Sequence, residues 1–332
     1  MNNRFSRRDF LKLTSLIPLG LTANPLLRLA NPGNLYHAEK KNILIIVFDA
    51  FSAYNISMHG YKRETAPNIT RLAERALVYH NHFAGGNFTT PGTASLLTGV
   101  LPWTHRAFNP GGQVSDSFIA HNLFSAFKNH YRISYSHNTW VNILLNQFRN
   151  EIDELIPREN LLLGSNKFIH KLFRKDDDVV SVSWNRLANV SAEGYAYSLF
   201  LSHINEYIQD KKTDGLKSLF PRGIPNAGSI DSDDTFLLEQ AVDYIKSRLT
   251  AIPQPFFGYF HFLPPHDPYR STSEFTGVFQ NDGFTPIDKP MDIFYTRVNQ
   301  GLEKKRTEYD EFILYCDKEF GRLFEYLDSS GI

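Results

Sequence analysis

The stretch that decides the fold is Ile43-Leu44-Ile45-Ile46-Val47-Phe48-Asp49. A short apolar run rich in β-branched residues predicts a strand buried on both faces, and such strands belong to parallel sheets covered by helices. In these sheets ligands bind just outside the carboxyl ends of the strands. Asp49 stands at that end and is therefore a candidate site residue. The alternative is that Asp49 caps a helix or closes a turn.

A second candidate is a hydroxyl residue further along the chain. Thr89-Thr90-Pro91 follows a glycine-bearing polar segment and leads into Ala94-Ser95-Leu96-Leu97, which we interpret as the start of a helix. A hydroxyl on such a loop faces free backbone N–H groups and the positive end of the helix dipole, which favour an oxyanion. The alternative is ordinary capping, because threonine is common before helices.

The remaining pattern alternates between helices and strands, which is typical of an α/β protein. Apolar periodicity predicts helices over residues 121–128, 234–249 and 308–327, and strands over 131–135 and 256–263. The last of these strands runs into Pro264-Pro265-His266-Asp267-Pro268-Tyr269. Proline cannot continue the strand ladder, so this segment turns at the carboxyl edge of the sheet. His266 and Asp267 are candidate site residues there, whereas His261 lies within the strand and is interpreted as core.

Composition excludes some classes of protein. The chain has 35 basic and 35 acidic residues, so net charge does not favour binding to nucleic acid or to a membrane surface. Its single cysteine, Cys316, excludes an intrachain disulfide and any cysteine-based metal cluster.

The N-terminus has the pattern of an export signal. Ser6-Arg7-Arg8-Asp9-Phe10-Leu11-Lys12 is typical of a twin-arginine signal, and the apolar segment 13–23 behind it is too short for a stable transmembrane span. Residues 1–41 are therefore predicted to be signal and linker. The expected partner is the twin-arginine export machinery, and the expected location is the periplasm or the extracellular space.

The order of motifs resembles the sulfatase family of the alkaline phosphatase superfamily. That family has an apolar strand ending in one or two Asp, then T-P-N-x-x-x-L-A, C-x-P-S-R-x-x-L-L-T-G and P-x-x-H. The matching segments here are Thr65-Ala66-Pro67-Asn68 with Leu72-Ala73, Thr89 to Gly99, and Pro102-Trp103-Thr104-His105. The segment from Pro264 to Tyr269 also resembles a family motif, P-H-x-P-Y.

Three departures bear on the chemistry. Thr89 stands where family sulfatases carry the Cys or Ser that becomes formylglycine, and Thr93 stands where they carry an arginine. Ala50 replaces the second Asp after the strand. These differences favour the phosphodiesterase and phosphotransferase branches of the superfamily over sulfate chemistry.

The resemblance implies an alkaline-phosphatase-like three-layer sandwich, with a mostly parallel sheet between helices. It implies Thr89 as nucleophile, Asp49 and Thr89 as ligands of a divalent cation, and His266 beside the bound ester. His137 follows a predicted strand where the family places a histidine near the nucleophile; it is either a site residue or a surface histidine. The cation is Ca²⁺, Mg²⁺, Mn²⁺ or Zn²⁺, which the sequence does not distinguish.

The implied function is metal-dependent hydrolysis of sulfuric or phosphoric esters of a small molecule, glycan or lipid. One alternative is a phosphotransferase acting on lipid or glycan head groups. Family members continue into a strand with S-D-H-G or S-D-N-G that completes the metal site, whereas this sequence ends at Ile332. We therefore expect residues 42–332 to form a catalytic domain that is incomplete at its C-terminus. The remaining alternative is an inactive fragment or a ligand-binding remnant.

Overall fold

The computed structural model describes residues 41–164, 204, 207–227, 234–284 and 301–332. Its strands are β1 (Ile43–Phe48), β2 (Tyr131–Ser136), β3 (Glu154–Leu155) and β4 (Phe256–Phe262). They form one sheet in the order β1-β4-β2-β3, and each neighbouring pair is parallel. The parallel sheet predicted from the run before Asp49 is confirmed. The predicted burial of this strand on both faces is wrong, because β1 has one strand neighbour among the described residues and is half-buried along its length.

The helices of the described residues are α1 (Pro67–Ala73), α2 (Thr89–Thr98), α3 (Pro102–His105), α4 (Leu123–Ala126), α5 (Thr139–Gln147), α6 (Leu238–Leu249) and α7 (Leu302–Ser330). Residues 207–213 are also helical. Short 3-10 turns occur at Ala53–Asn55, Ser57–His59, Asp116–Phe118, Arg149–Glu151, Arg158–Leu161 and Asp214–Leu216. Across the described residues, each helix is too short or too polar to span a membrane.

Helices cover both faces of the sheet, which gives the fold three layers. Side chains alternate between the two faces of a strand, so Phe260 of β4 packs in one core and Phe257 packs in the other. The first core contains Ile245 of α6 and Phe312 of α7. The second contains Leu97 of α2 and residues of α5. The predicted three-layer α/β sandwich is confirmed.

The strand register brings the carboxyl ends to one edge. Phe48 of β1 pairs with Phe262 of β4, and Ser136 of β2 pairs with His261. The residues that follow β1 and β2 therefore emerge on either side of the end of β4. This edge is where ligands bind in parallel α/β sheets.

All three predicted helices differ from their predicted bounds. Helix α7 is longer than predicted, from Leu302 to Ser330. Helix α6 begins at Leu238, because Thr235 instead forms antiparallel bridges with Gly164 and Asn226. Helix α4 is short and begins after Asn122, whose side chain accepts a hydrogen bond from the Ser125 N–H in a capping box.

The predicted loop at Thr89 is wrong, because Thr89 is the first residue of α2. The backbone of Phe88 is extended and forms the N-cap without a side-chain hydrogen bond. Pro91 fits the first turn, where a missing N–H costs no helical hydrogen bond. The predicted export signal lies in residues 1–40, outside the described residues, and stays a prediction.

Candidate active site at the carboxyl edge of the sheet

Asp49 is held at the end of β1 by backbone contacts. Its N–H donates to the carbonyl of Phe262 over 2.9 Å, which extends the pairing of β1 with β4 by one residue. The next residue, Ala50, has a left-handed φ of 58°. The Tyr309 hydroxyl of α7 stabilises this turn, because it donates to the Ala50 carbonyl over 2.6 Å and accepts from the Ser52 N–H over 2.8 Å.

Thr89 reaches the same carboxylate from the first turn of α2. Its Oγ donates a hydrogen bond of 3.2 Å to Asp49 Oδ2. The glycine segment before α2 passes close to this turn: a Cβ on Gly86 would lie 2.7 Å from Pro91 Cβ. Glycine therefore permits the close approach that places the hydroxyl at the helix N-terminus.

Asn138 is a third partner of Asp49, and the sequence analysis assigned it no role. Its Oδ1 caps α5 by accepting from the Trp140 N–H over 2.8 Å, and its Nδ2 donates to Asp49 Oδ2 over 2.5 Å. An asparagine between a strand and a helix is the sequence signal that could have revealed it, since asparagine is a preferred N-cap. One side chain thus fixes both the helix start and the carboxylate.

His261 was interpreted as a core residue, and it is indeed buried. Its Nε2, however, faces the candidate site, 3.6 Å from Asp49 Oδ2, and that nitrogen has no hydrogen-bond partner among the described residues. The other ring nitrogen, Nδ1, lies 2.9 Å from the Tyr259 hydroxyl. The apolar run around His261 indicates burial, but it does not show that one ring nitrogen faces the candidate site.

The surroundings keep Asp49 ionised. Burial on its own raises the pKa of Asp49, but the nearby His261 ring, the charge of His266 and the Asn138 amide together outweigh it. The net result is a pKa below the ordinary value for aspartate. An ionised carboxylate is the form that accepts hydrogen bonds and binds metal ions.

A cavity of about 880 Å³ opens over this edge. Asp49, Thr89, His261 and His266 line one part of it, so the structure brings three of the predicted site residues together. His266 is 40% exposed, and its Nδ1 donates to the carbonyl of Asp267 over 2.8 Å. Among the described residues, neither lysine nor arginine lines the cavity.

The cavity also has an apolar wall. Phe83, Phe88, Leu96 and Leu101 line it, and each is exposed by more than 40%. The cavity therefore combines a polar floor at the strand ends with an apolar side.

His137 is not brought to the cavity. Its ring is fully buried, stacks on Phe236 at a centroid distance of 4.2 Å, and lies on the same side of the sheet as Tyr135. Burial lowers the pKa of His137 to about 3, so the ring is neutral. The alternative prediction, that His137 is a surface histidine, is wrong as well.

His105, from the segment Pro102-Trp103-Thr104-His105, supports α2 from behind. It is fully buried, and its Nδ1 accepts from the Ala107 N–H over 3.0 Å. Its Nε2 lies 3.0 Å from Ser95 Oγ in the middle of α2. Burial lowers the pKa of His105, so a neutral imidazole ties α3 to α2.

The donor set at the edge fits a divalent cation. An ionised carboxylate and a hydroxyl lie 3.2 Å apart, and the unpartnered nitrogen of His261 faces the same carboxylate. The described residues contain no metal-binding group of three or more histidine, cysteine, aspartate or glutamate side chains. Asp49 and Thr89 are therefore the oxygen donors that this edge supplies.

The fold is similar to that of alkaline-phosphatase-like α/β proteins. The phosphonate monoester hydrolase of Agrobacterium radiobacter is similar, with 16% identity, a TM-score of 0.53 and coverage of 88% of this chain and 60% of that one. The phosphonate monoester hydrolase of Silicibacter pomeroyi has 14% identity, a TM-score of 0.51 and the same coverage.

The chain belongs to the Sulfatase family, whose model matches residues 41–332. It is 21% identical over 301 residues to the N-acetylgalactosamine-6-sulfatase of Canis lupus familiaris, covering 88% of this chain and 52% of that protein. It is 33% identical over 70 residues to an N-acetylgalactosamine-6-O-sulfatase of Bacteroides thetaiotaomicron, covering 21% and 14%. The chain thus spans about half the length of the canine relative.

Proposed function

We propose that the protein hydrolyses phosphoric or sulfuric esters with Thr89 as the nucleophile. The observation that carries this proposal is the Thr89 hydroxyl, which stands at the N-terminus of α2, at the wall of the cavity, and is hydrogen-bonded to Asp49. A hydroxyl in that position is oriented by the carboxylate and faces a helix N-terminus that stabilises negative charge.

Each side chain has its own role in an in-line displacement. Asp49 orients the Thr89 hydroxyl, which gives its proton to solvent in the cavity. Its oxygen then attacks the phosphorus or sulfur while the bond to the leaving oxygen breaks. The N-terminus of α2 stabilises the ionised hydroxyl. His266, at the cavity, protonates the leaving oxygen or donates a hydrogen bond to the ester. Water then releases the group from Thr89.

Asp49 and Thr89 are the residues that would hold a divalent cation. When bound, such an ion neutralises charge on the ester and lowers the pKa of a coordinated hydroxyl. Asn138 keeps the Asp49 carboxylate in place through its amide hydrogen bond. The remaining ligands of a complete site lie outside this set, since hard cations take six or more oxygens.

Phosphoric esters are the preferred substrates in this proposal. The observation that supports it is a threonine in place of a formylglycine precursor. Two similar solved structures are named phosphonate monoester hydrolases, which act on a phosphorus centre. The curated relatives, in contrast, are named sulfatases. Purified protein with excess divalent cation should therefore turn over aryl phosphate mono- or diesters faster than aryl sulfates. A clear preference for sulfates would contradict the assignment.

The nucleophile is tested by variants of Thr89. Thr89→Val keeps the side-chain volume without the hydroxyl and should lower kcat by about 10³-fold or more, whereas Thr89→Ser should retain measurable turnover. The matched control is Thr98→Ala at the other end of α2, whose hydroxyl donates to the Ala94 carbonyl of its own helix. It should leave kcat within about twofold.

The outcomes of these measurements distinguish an active hydrolase from a ligand-binding remnant. If Thr89→Val is as active as the starting protein, Thr89 is not the nucleophile. If the starting protein shows no turnover of any ester with any of the four cations, the ligand-binding remnant is the better hypothesis. Circular dichroism on each variant confirms that activity, not folding, has changed.

A second candidate function is transfer of the phosphoryl group to a lipid or glycan head group. The apolar wall of Phe83, Phe88, Leu96 and Leu101 favours it, because an apolar acceptor or leaving group would bury that surface. Incubation of a phosphoester donor with and without a lipid acceptor distinguishes the two functions. Transfer predicts a phosphorylated lipid, and hydrolysis predicts free phosphate in both mixtures.

The proposed location is outside the cytoplasm. It rests on the twin-arginine pattern from Ser6 to Lys12. Arg7→Lys together with Arg8→Lys should retain the protein in the cytoplasm, as fractionation and immunoblotting would show. Export of the double variant at the original level would contradict the proposal.

A further inference from the structure

His261 carries a buried nitrogen that the mechanism above does not use. The residue is 3% exposed in the middle strand of the sheet, and its Nε2 has no hydrogen-bond partner among the described residues. An unpaired buried nitrogen is costly, so its placement needs a physical reason. The nitrogen faces Asp49 at the cavity.

The other side of the ring fixes its orientation. His261 Nδ1 lies 2.9 Å from the hydroxyl of Tyr259, which is itself fully buried. The tautomer with its proton on Nδ1 donates to Tyr259 and presents the Nε2 lone pair to Asp49. Metal-binding histidines have this arrangement, with the second nitrogen donating to a fixed oxygen.

The distance between His261 Nε2 and Asp49 Oδ2 fits two ligands of one metal ion better than it fits a hydrogen bond. The 3.6 Å between His261 Nε2 and Asp49 Oδ2 is too long for a hydrogen bond. Two ligands bonded to one Zn²⁺-like ion at about 2.0–2.1 Å are separated by about 3.3–3.6 Å at tetrahedral or slightly wider angles. Thr89 Oγ and Asp49 Oδ2 are joined by a hydrogen bond of 3.2 Å, which a shared ion would replace.

We propose that His261 is a metal ligand beside Asp49 and Thr89, and that it makes the site selective for Zn²⁺-like ions over Ca²⁺ or Mg²⁺. This inference rests on the cation site of the proposed function. Imidazole nitrogen suits zinc and other transition metals, whereas calcium and magnesium prefer oxygen. Three protein ligands leave an open position for the ester, as catalytic zinc requires.

The test measures metal affinity rather than activity. Isothermal titration calorimetry gives the Kd of Zn²⁺ and of Ca²⁺ for the full chain. All proteins carry His59→Ala, because His59 and His80 have Nδ1 atoms 3.2 Å apart on the surface and offer a second nitrogen site. His261→Ala should weaken Zn²⁺ binding by about tenfold or more and change Ca²⁺ binding by less than about threefold.

Two further variants make the comparison specific. His82→Ala removes an exposed histidine from the wall of the same cavity and should leave both Kd values unchanged. His261→Gln keeps most of the side-chain volume if the alanine variant fails to fold, and it should give the same loss of selectivity. Circular dichroism establishes folding for each.

Other outcomes overturn the inference in distinguishable ways. Equal weakening of both ions by His261→Ala would mean that His261 only positions Asp49. Unchanged Zn²⁺ affinity, or no Zn²⁺ binding by the starting protein, would exclude His261 as a ligand. If Asp49→Ala abolishes binding while His261→Ala does not, only this inference fails. If Asp49→Ala binds both ions as tightly as the starting protein, the cation site of the proposed function fails as well.

Discussion

Asn138 joins the start of a helix to the Asp49 carboxylate, and its replacement should be costly. Asn138→Ala removes the N-cap of α5, which contributes about 1 kcal/mol. It also removes a hydrogen bond to an ionised, largely buried carboxylate, worth about 1.5–3 kcal/mol. The expected loss in the free energy of unfolding is therefore about 2.5–4 kcal/mol.

Asn138→Ser separates the two contributions. Serine is as good an N-cap as asparagine but is too short to replace the amide that reaches Asp49. This variant should lose only about 1.5–3 kcal/mol, so it should be about 1 kcal/mol more stable than the alanine variant. Asn146→Ala, on the exposed face of the same helix, is the matched control and should stay within about 0.5 kcal/mol of the starting protein.

The assay is urea unfolding at pH 7 followed by far-ultraviolet circular dichroism, with linear extrapolation to water. Wild-type stability in Asn138→Ser would refute the contribution of the hydrogen bond to Asp49. Equal losses in the alanine and serine variants would refute the capping contribution instead.

Two further predictions concern the long helix α7. Burial raises the pKa of Glu319 to about 7, although the ion pair with Arg322 opposes this shift. The ionised carboxylate therefore lowers the free energy of unfolding by roughly 3 kcal/mol above pH 7, and by little below pH 4.5. Glu319→Gln should therefore be more stable than the starting protein at pH 8 but not at pH 5, as measured by urea unfolding. The same difference in stability between the two proteins at both pH values would contradict this. Gly321→Ala places a Cβ 2.5 Å from Asn68 Cγ, and Asn68 is tied to Asp317 by its side chain and N–H. The clash should outweigh the gain of about 1 kcal/mol in helix propensity and lower the melting temperature; a raised melting temperature would show that Asn68 moves freely.

The sheet and its layers could be predicted because apolar runs carry most of the signal. The strand before Pro264 is buried throughout and the strand before Asp49 is half-buried, and alternation places residues on both faces. Helix ends were harder to predict. The start of α2 at Thr89 depends on an extended Phe88 that provides no side-chain cap, so local sequence did not mark it.

The candidate site was predicted only in part. Asp49, Thr89 and His266 were predicted because they follow strands or precede a helix, and they line one cavity. His137 was predicted to be a site residue or a surface histidine, but it is fully buried away from the cavity, whereas His261 is buried as predicted with one ring nitrogen facing the edge. Strand register decides which histidine faces the edge. His137 lies beside Tyr135 in the core, whereas the Nε2 of His261 faces Asp49. Register depends on contacts between distant strands, which a single sequence does not show.

The central position of β4 has a consequence for how the chain folds. β1 and β2 lie on either side of β4, although more than a hundred residues separate each of them from it in sequence. Contacts of this kind must form after large loops close, which slows folding. Asp49 and Asn138 therefore meet only once residues 256–262 have been synthesised and inserted between their strands. During synthesis the earlier strands present apolar edges, so a chaperone that holds the nascent chain should raise the yield of folded protein.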